Sequence, residues 1–140
     1  MCINYIPTTK AVLREYFRVD EPDEDWKEEI WQDYPAPILI QRDGKRQALF
    51  ASYGLVPKSK IQPGGKHYAT MNARAETVGE KPTYKRAWQQ GHLCLVPMLG
   101  FFEPCYESGK PERWRINMAD GSPFAVAGIW RAWQEPPVSE

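Results

Sequence analysis

The chain has 140 residues, 42% apolar and 13% aromatic, and its 18 basic side chains balance 18 acidic ones. That is enough apolar material for one compact domain, residues 1–140, with a buried core, and no stretch approaches the ~20 consecutive apolar residues of a membrane-spanning helix. Three cysteines without a C-x-x-C pair, and two histidines far apart in the chain, point to neither a disulfide framework nor a metal site.

In chain order, the N-terminus shows no charged segment running into an apolar one, so the chain reads as cytoplasmic, without a membrane partner. Thr8 or Thr9 is placed to cap a short helix in which Val12 and Tyr16, and Leu13 and Phe17, fall four residues apart, and which should end before Pro22. The acidic stretch around Trp26, Ile30 and Trp31 suits a second helical turn or a loop, and Tyr34-Pro35-Ala36-Pro37 interrupts whatever precedes it. Ile38–Ile40 reads as a strand entering the turn Arg42-Asp43-Gly44-Lys45, with Ala48–Val56 as the return strand of a hairpin. A glycine-containing loop, Gln62–Gly65, leads to Met71–Thr77. Pro82 then opens a helix through Tyr84, Ala87 and Trp88 that Gly91 terminates. Two strands are expected at His92–Val96 and Gly100–Glu103. Trp114, Ile116 and Met118 alternate with polar residues as in a half-buried strand, and Asp120-Gly121 turns the chain into Phe124–Trp133. The sum is an α+β domain of mostly antiparallel strands with two or three short helices.

Charge is distributed unevenly. Residues 20 to 33 hold eight acids and one base, whereas residues 58 to 86 hold seven bases and two acids. A basic tract inside a neutral protein suits local attraction to phosphate, and it equally suits a solvated, lysine-rich loop region.

The most distinctive position is Cys2. When Met1 is removed, as is common before a small side chain, Cys2 carries a free α-amine and a thiol on adjacent carbons, a 1,2-aminothiol. The amine condenses with an aldehyde to an imine, the thiol closes onto the imine carbon, and a five-membered thiazolidine results. An α-amine and a thiol have reference pKa values of about 8 and about 8.5, so modest changes of environment make either nucleophilic at neutral pH.

Four further features give this cysteine a context. Tyr53-Gly54-Leu55-Val56-Pro57, Met71-Asn72-Ala73-Arg74-Ala75-Glu76-Thr77, and Cys94-Leu95-Val96-Pro97 running into Gly100-Phe101-Phe102-Glu103 follow Met1-Cys2 in order, and Ala127-Gly128-Ile129-Trp130 comes last. Together they resemble the SOS-response-associated peptidase (SRAP) family, which shields abasic sites in single-stranded DNA. The resemblance spans nearly the whole chain and implies a curved sheet or pseudo-barrel. It makes Cys2 the nucleophile toward the aldehyde of an opened abasic sugar, with release of Met1 as the peptidase step.

By the same resemblance, Asn72 lines the site with an amide that both donates and accepts. Glu103, behind Phe101 and Phe102, is a partly desolvated carboxyl able to move protons. Arg74 holds a DNA phosphate through its fork of donors. Tyr53 stands where the family usually has tryptophan, and is placed to stack on a base. Gly54 and Asn4 complete the expected DNA-binding positions, with Pro37, or alternatively Pro35, as a wedge near the flipped-out site. The expected partner is abasic single-stranded DNA, the expected form a monomer, and no cofactor is called for.

There are departures. Ile3 and Asn4 stand where the family usually has glycine and arginine, Pro104 replaces a tryptophan, and a C-terminal segment with a catalytic histidine has no counterpart in this sequence. His67 and His92 read as structural or exposed, Cys94 as a strand residue, and Cys105 has no assigned task. Two other functions fit the residues: a thiol peptidase acting on other proteins, and a non-catalytic nucleic-acid-binding module.

Overall fold

The structure, a computed structural model, describes residues 2–133. Met1, whose removal the sequence suggests, and residues 134–140 lie outside the described residues. Six strands and two α-helices follow in the order β1 (Tyr5–Pro7), α1 (Lys10–Glu15), β2 (Pro35–Arg42), β3 (Lys45–Ser52), α2 (Pro82–Gln89), β4 (Leu93–Cys105), β5 (Glu112–Ile116) and β6 (Phe124–Ile129), with a single 3₁₀ turn at Lys58–Lys60. The strands form a curled half-barrel sheet, all pairings antiparallel, as the α+β reading expects.

Strand β4 is the spine. Phe101 pairs with Tyr5 on one edge and Ile116 on the other, and Leu95 pairs with Leu39 on one edge and Ala127 on the other. One edge of β4 therefore takes β1 and then β2, and the other takes β5 and then β6. The sequence suggested two strands here, but the ladder runs unbroken through Pro97. Opposite it, the partner changes from β2 at Leu95 to β1 at Met98, and a residue without an N–H is tolerated where a ladder is already interrupted.

The β2–β3 hairpin closes through Asp43 and Gly44, with φ of 53° and 76°; two consecutive left-handed residues match the twist of the strands they join. Tyr34–Pro37 does more than interrupt the chain. Pro35 and Pro37 begin β2, where among the described residues the one partner is β3, so their missing donors cost no ladder bond on the other side. Strand β5 departs from the half-buried expectation: all five of its residues are exposed, and Trp114 and Ile116 keep 47% and 40% of their surface in solvent. Its alternation of apolar and polar residues marks a strand but not a covered face.

Helix α1 starts where Thr9 Oγ1 accepts from the Val12 N–H at 3.2 Å; it buries Leu13, and Phe17 is buried just beyond its end, while Tyr16 faces solvent. Those side chains join Val19 and Leu39 in one cluster. Tyr5, Ile30, Ala36 and Met98 form a second, against which Cys2, Tyr53 and Phe101 pack. Ala36 and Leu39 are three apart on β2 and so face opposite sides of the sheet. Helix α1 covers one side, and Cys2 lies on the other.

Candidate active site

Cys2 precedes the shortest strand, and that strand is held from both sides. Tyr5 exchanges backbone hydrogen bonds with Ile30, at 3.1 and 2.8 Å, and pairs with Phe101 of β4. Cys2 is half-buried as a result. Its carbonyl oxygen accepts two side-chain donors, Asn72 Nδ2 at 2.7 Å and the Tyr53 hydroxyl at 2.9 Å. Its Sγ donates to the Asn4 carbonyl at 3.1 Å and lies 3.5 Å from the Tyr53 hydroxyl.

The donors come from segments far apart in sequence, and Gly54 brings them together. With φ of +126°, Gly54 takes a conformation that side chains disfavour, turning the chain out of β3 directly after Tyr53. Beyond the turn, Leu55 N–H donates to the Thr70 carbonyl and Val56 N–H to Thr70 Oγ1, which draws residues 70–72 alongside Cys2. Tyr53 itself is fixed by its backbone, donating to Tyr34 and accepting from Asp33, and by an edge-on contact with the Tyr5 ring at 5.0 Å. Burial, then the hydrogen bond to Cys2, pushes the Tyr53 phenol far above its ordinary value, so it remains a protonated donor.

Glu103 lies two residues beyond Phe101 on β4, and so on the same face as a ring that packs against the Cys2 cluster. It pairs with Trp114 of β5, and its charge is the smallest of the causes that raise the Tyr53 phenol. Arg74 is exposed, and its carbonyl accepts from the Thr77 and Val78 N–H groups, shaping the loop that presents Asn72.

Two expected DNA-binding positions are placed otherwise. Pro37 and Asn4 are both fully buried, so neither side chain reaches solvent. Asn4 Nδ2 donates to Glu29 Oε1, and the same oxygen receives Arg113 Nη2 from β5. The Arg113 guanidinium in turn lies 3.7 Å from the Phe102 ring centroid and 5.8 Å from that of Trp31. Such residues act on a partner only through what they position. Glu29 and Arg113 were not singled out by the sequence: Glu29 is one acid among many, and Arg113 follows no motif.

The histidines are engaged away from Cys2. His67 Nε2 lies 3.4 Å from Asp33 Oδ2 and 3.1 Å from Gln32 Nε2, and His92 stacks on Trp130 at 4.1 Å. Cys94 is buried in β4, which pushes its thiol up to about 11. Among the described residues, no three of His, Cys, Asp and Glu gather as metal ligands, and no helix is long and apolar enough to cross a membrane.

Cys2, Tyr53, Asn72 and Phe101 border a groove of about 960 Å³ that extends toward Trp88 and Trp130. A thiol next to the chain start and two donors fixed on its own carbonyl make a site suited to capturing an electrophilic carbonyl. The family model for the SOS response associated peptidase (SRAP) matches residues 1–140. The chain belongs to the SRAP family. It is 32% identical over 104 residues to abasic site processing protein YoqW of Bacillus subtilis, an alignment covering 71% of this chain and 44% of the relative. It is 34% identical over 99 residues to abasic site processing protein YoaM of the same organism, covering 69% of this chain and 42% of that one. A crystal structure of a Bordetella bronchiseptica protein shares the fold, with a TM-score of 0.76 and 27% identity over 91% of this chain and 63% of the other. This SRAP chain thus spans under half the length of these curated relatives.

Proposed function

We propose that this SRAP chain captures abasic sites in single-stranded DNA through Cys2, after release of Met1. The α-amine attacks the sugar aldehyde and water leaves, giving an imine. The thiolate adds to the imine carbon, the nitrogen takes up a proton, and a thiazolidine joins protein to DNA. Glu103 moves protons during ring opening and imine formation, Asn72 fixes Cys2, and exposed Arg74 takes a phosphate.

The observation that carries this reading is the double hold on the Cys2 carbonyl by Asn72 and Tyr53, at 2.7 and 2.9 Å. It fixes the α-carbon from which both the amine and the thiol extend. A thiol peptidase acting on other proteins would need a base beside the sulfur. Among the described residues, both histidines are occupied elsewhere.

Incubation with an abasic oligonucleotide, followed by denaturing electrophoresis and intact mass, tests the proposal. The expected adduct has the mass of the protein without Met1 plus the DNA less one water. If Cys2→Ala forms the same amount of stable adduct, the aminothiol mechanism is wrong.

A further inference from the structure

Tyr53 has one hydroxyl hydrogen and two acceptors within reach, the Cys2 carbonyl oxygen at 2.9 Å and Cys2 Sγ at 3.5 Å. It serves one at a time. The carbonyl does not depend on it, because Asn72 Nδ2 donates to the same oxygen at 2.7 Å. The sulfur does. As a thiol, Sγ donates its own hydrogen to the Asn4 carbonyl at 3.1 Å, but as a thiolate it has nothing to donate and faces that carbonyl oxygen as a like-signed neighbour.

We propose that Tyr53 is a positioning residue whose O–H turns from the Cys2 carbonyl to the Cys2 sulfur as the thiol ionises, holding the thiolate in place for ring closure. The inference rests on the reading of Cys2 as the nucleophile and adds a hydroxyl to it. The Tyr53 backbone is hydrogen-bonded in both directions and its ring lies edge-on against Tyr5, so rotation about the C–O bond is the freedom left to the group. Burial keeps the phenol protonated, so it donates to the sulfur without losing its proton. The stacking role expected of this position needs only a ring, whereas this role needs the hydroxyl.

The test compares wild type with Tyr53→Phe, each checked for a cooperative thermal melt. Alkylation of Cys2 by iodoacetamide is followed at pH 7 and pH 10 through the mass of the N-terminal peptide, which separates Cys2 from Cys94 and Cys105. Tyr53→Phe is expected to slow alkylation about tenfold at pH 7, the effect of one hydrogen bond to a charged sulfur. At pH 10, where a thiol ionises without help, the rates converge. Equal rates at pH 7, or an equal slowing at both pH values, overturns the proposal. The same samples are offered abasic DNA. A wild type that shows the expected alkylation pattern but forms no adduct removes the DNA reading and leaves the pairing of Tyr53 with the thiolate supported.

Discussion

The side-chain amide of Asn72 donates to the carbonyl oxygen of Cys2 at 2.7 Å, across a separation of 70 residues. The contact reaches the peptide group rather than the sulfur, so it orients the amine and the thiol together. Replacing the amide by a carboxylate sets two oxygens against each other in the same space. Asn72→Ala is therefore expected to slow crosslinking to an abasic oligonucleotide about tenfold, and Asn72→Asp to slow it further. Initial rates at saturating oligonucleotide check the order. An Asn72→Asp rate at or above that of Asn72→Ala would show that the donor has no part in holding Cys2.

Asn4 presents a different kind of dependence, because its side chain is sealed inside the fold. Nδ2 is satisfied by Glu29, while Oδ1 is buried with no hydrogen-bond partner among the described residues. Asn4→Asp would place a charge on that unpartnered oxygen and a second carboxylate beside Glu29, whose Oε1 is the atom that Arg113 pairs with. A loss of about 3 kcal/mol at pH 7 is expected in urea unfolding. The introduced carboxyl binds its proton more tightly folded than unfolded, so the deficit is present at neutral pH and shrinks as pH falls through the folded value. A deficit that stays constant from pH 7 to pH 4 would exclude this account.

The hairpin tip separates stability from chemistry. A Cβ at Gly44 would meet nothing within 4 Å, yet φ there is +76°. Gly44→Ala should cost about 1 kcal/mol through backbone strain alone. Crosslinking below the melting temperature should be unchanged, since the turn lies at the far end of β2 and β3 from Tyr53. Urea unfolding and the adduct assay on the same preparation measure both.

Much of the frame was legible because local chemistry fixes it. Thr9, Pro82, Gly91 and Asp43-Gly44 each act through the backbone of their neighbours, and the elements they bound stand close to where the sequence puts them. What depended on distant contacts was not legible. The alternation in β5 gave its conformation but not its exposure, which is set by what lies across the sheet. Two strands were expected where β4 runs unbroken because the partners around Pro97, Ala125 on one side and the change from β2 to β1 on the other, come from three separate segments. At the site, the resemblance singled out Cys2, Tyr53, Asn72 and Glu103, and the structure brings Cys2, Tyr53 and Asn72 into contact. It could not show that Tyr53 offers its hydroxyl to Cys2, or that Asn4 turns inward to Glu29 and Arg113.

Cys94 supplies a prediction at alkaline pH. Burial raises its thiol from 9.0 to about 11, and a Cβ on Gly128 would stand only 3.0 Å from Sγ, so the sulfur is closely packed. The unfolded chain loses this proton at lower pH than the folded one. The stabilisation is therefore fully present below about pH 9 and is lost as pH rises through about 11. The loss amounts to about 2–3 kcal/mol. Cys94→Ala removes the titrating group at the cost of a small cavity, so it should be less stable than wild type at pH 8. The gap should narrow steadily between pH 9 and pH 11, although Tyr5 and Tyr53, raised in both proteins, make each less stable there. Urea midpoints across that range give the comparison. Parallel curves for the two proteins would mean that the Cys94 thiol is not held protonated by the fold.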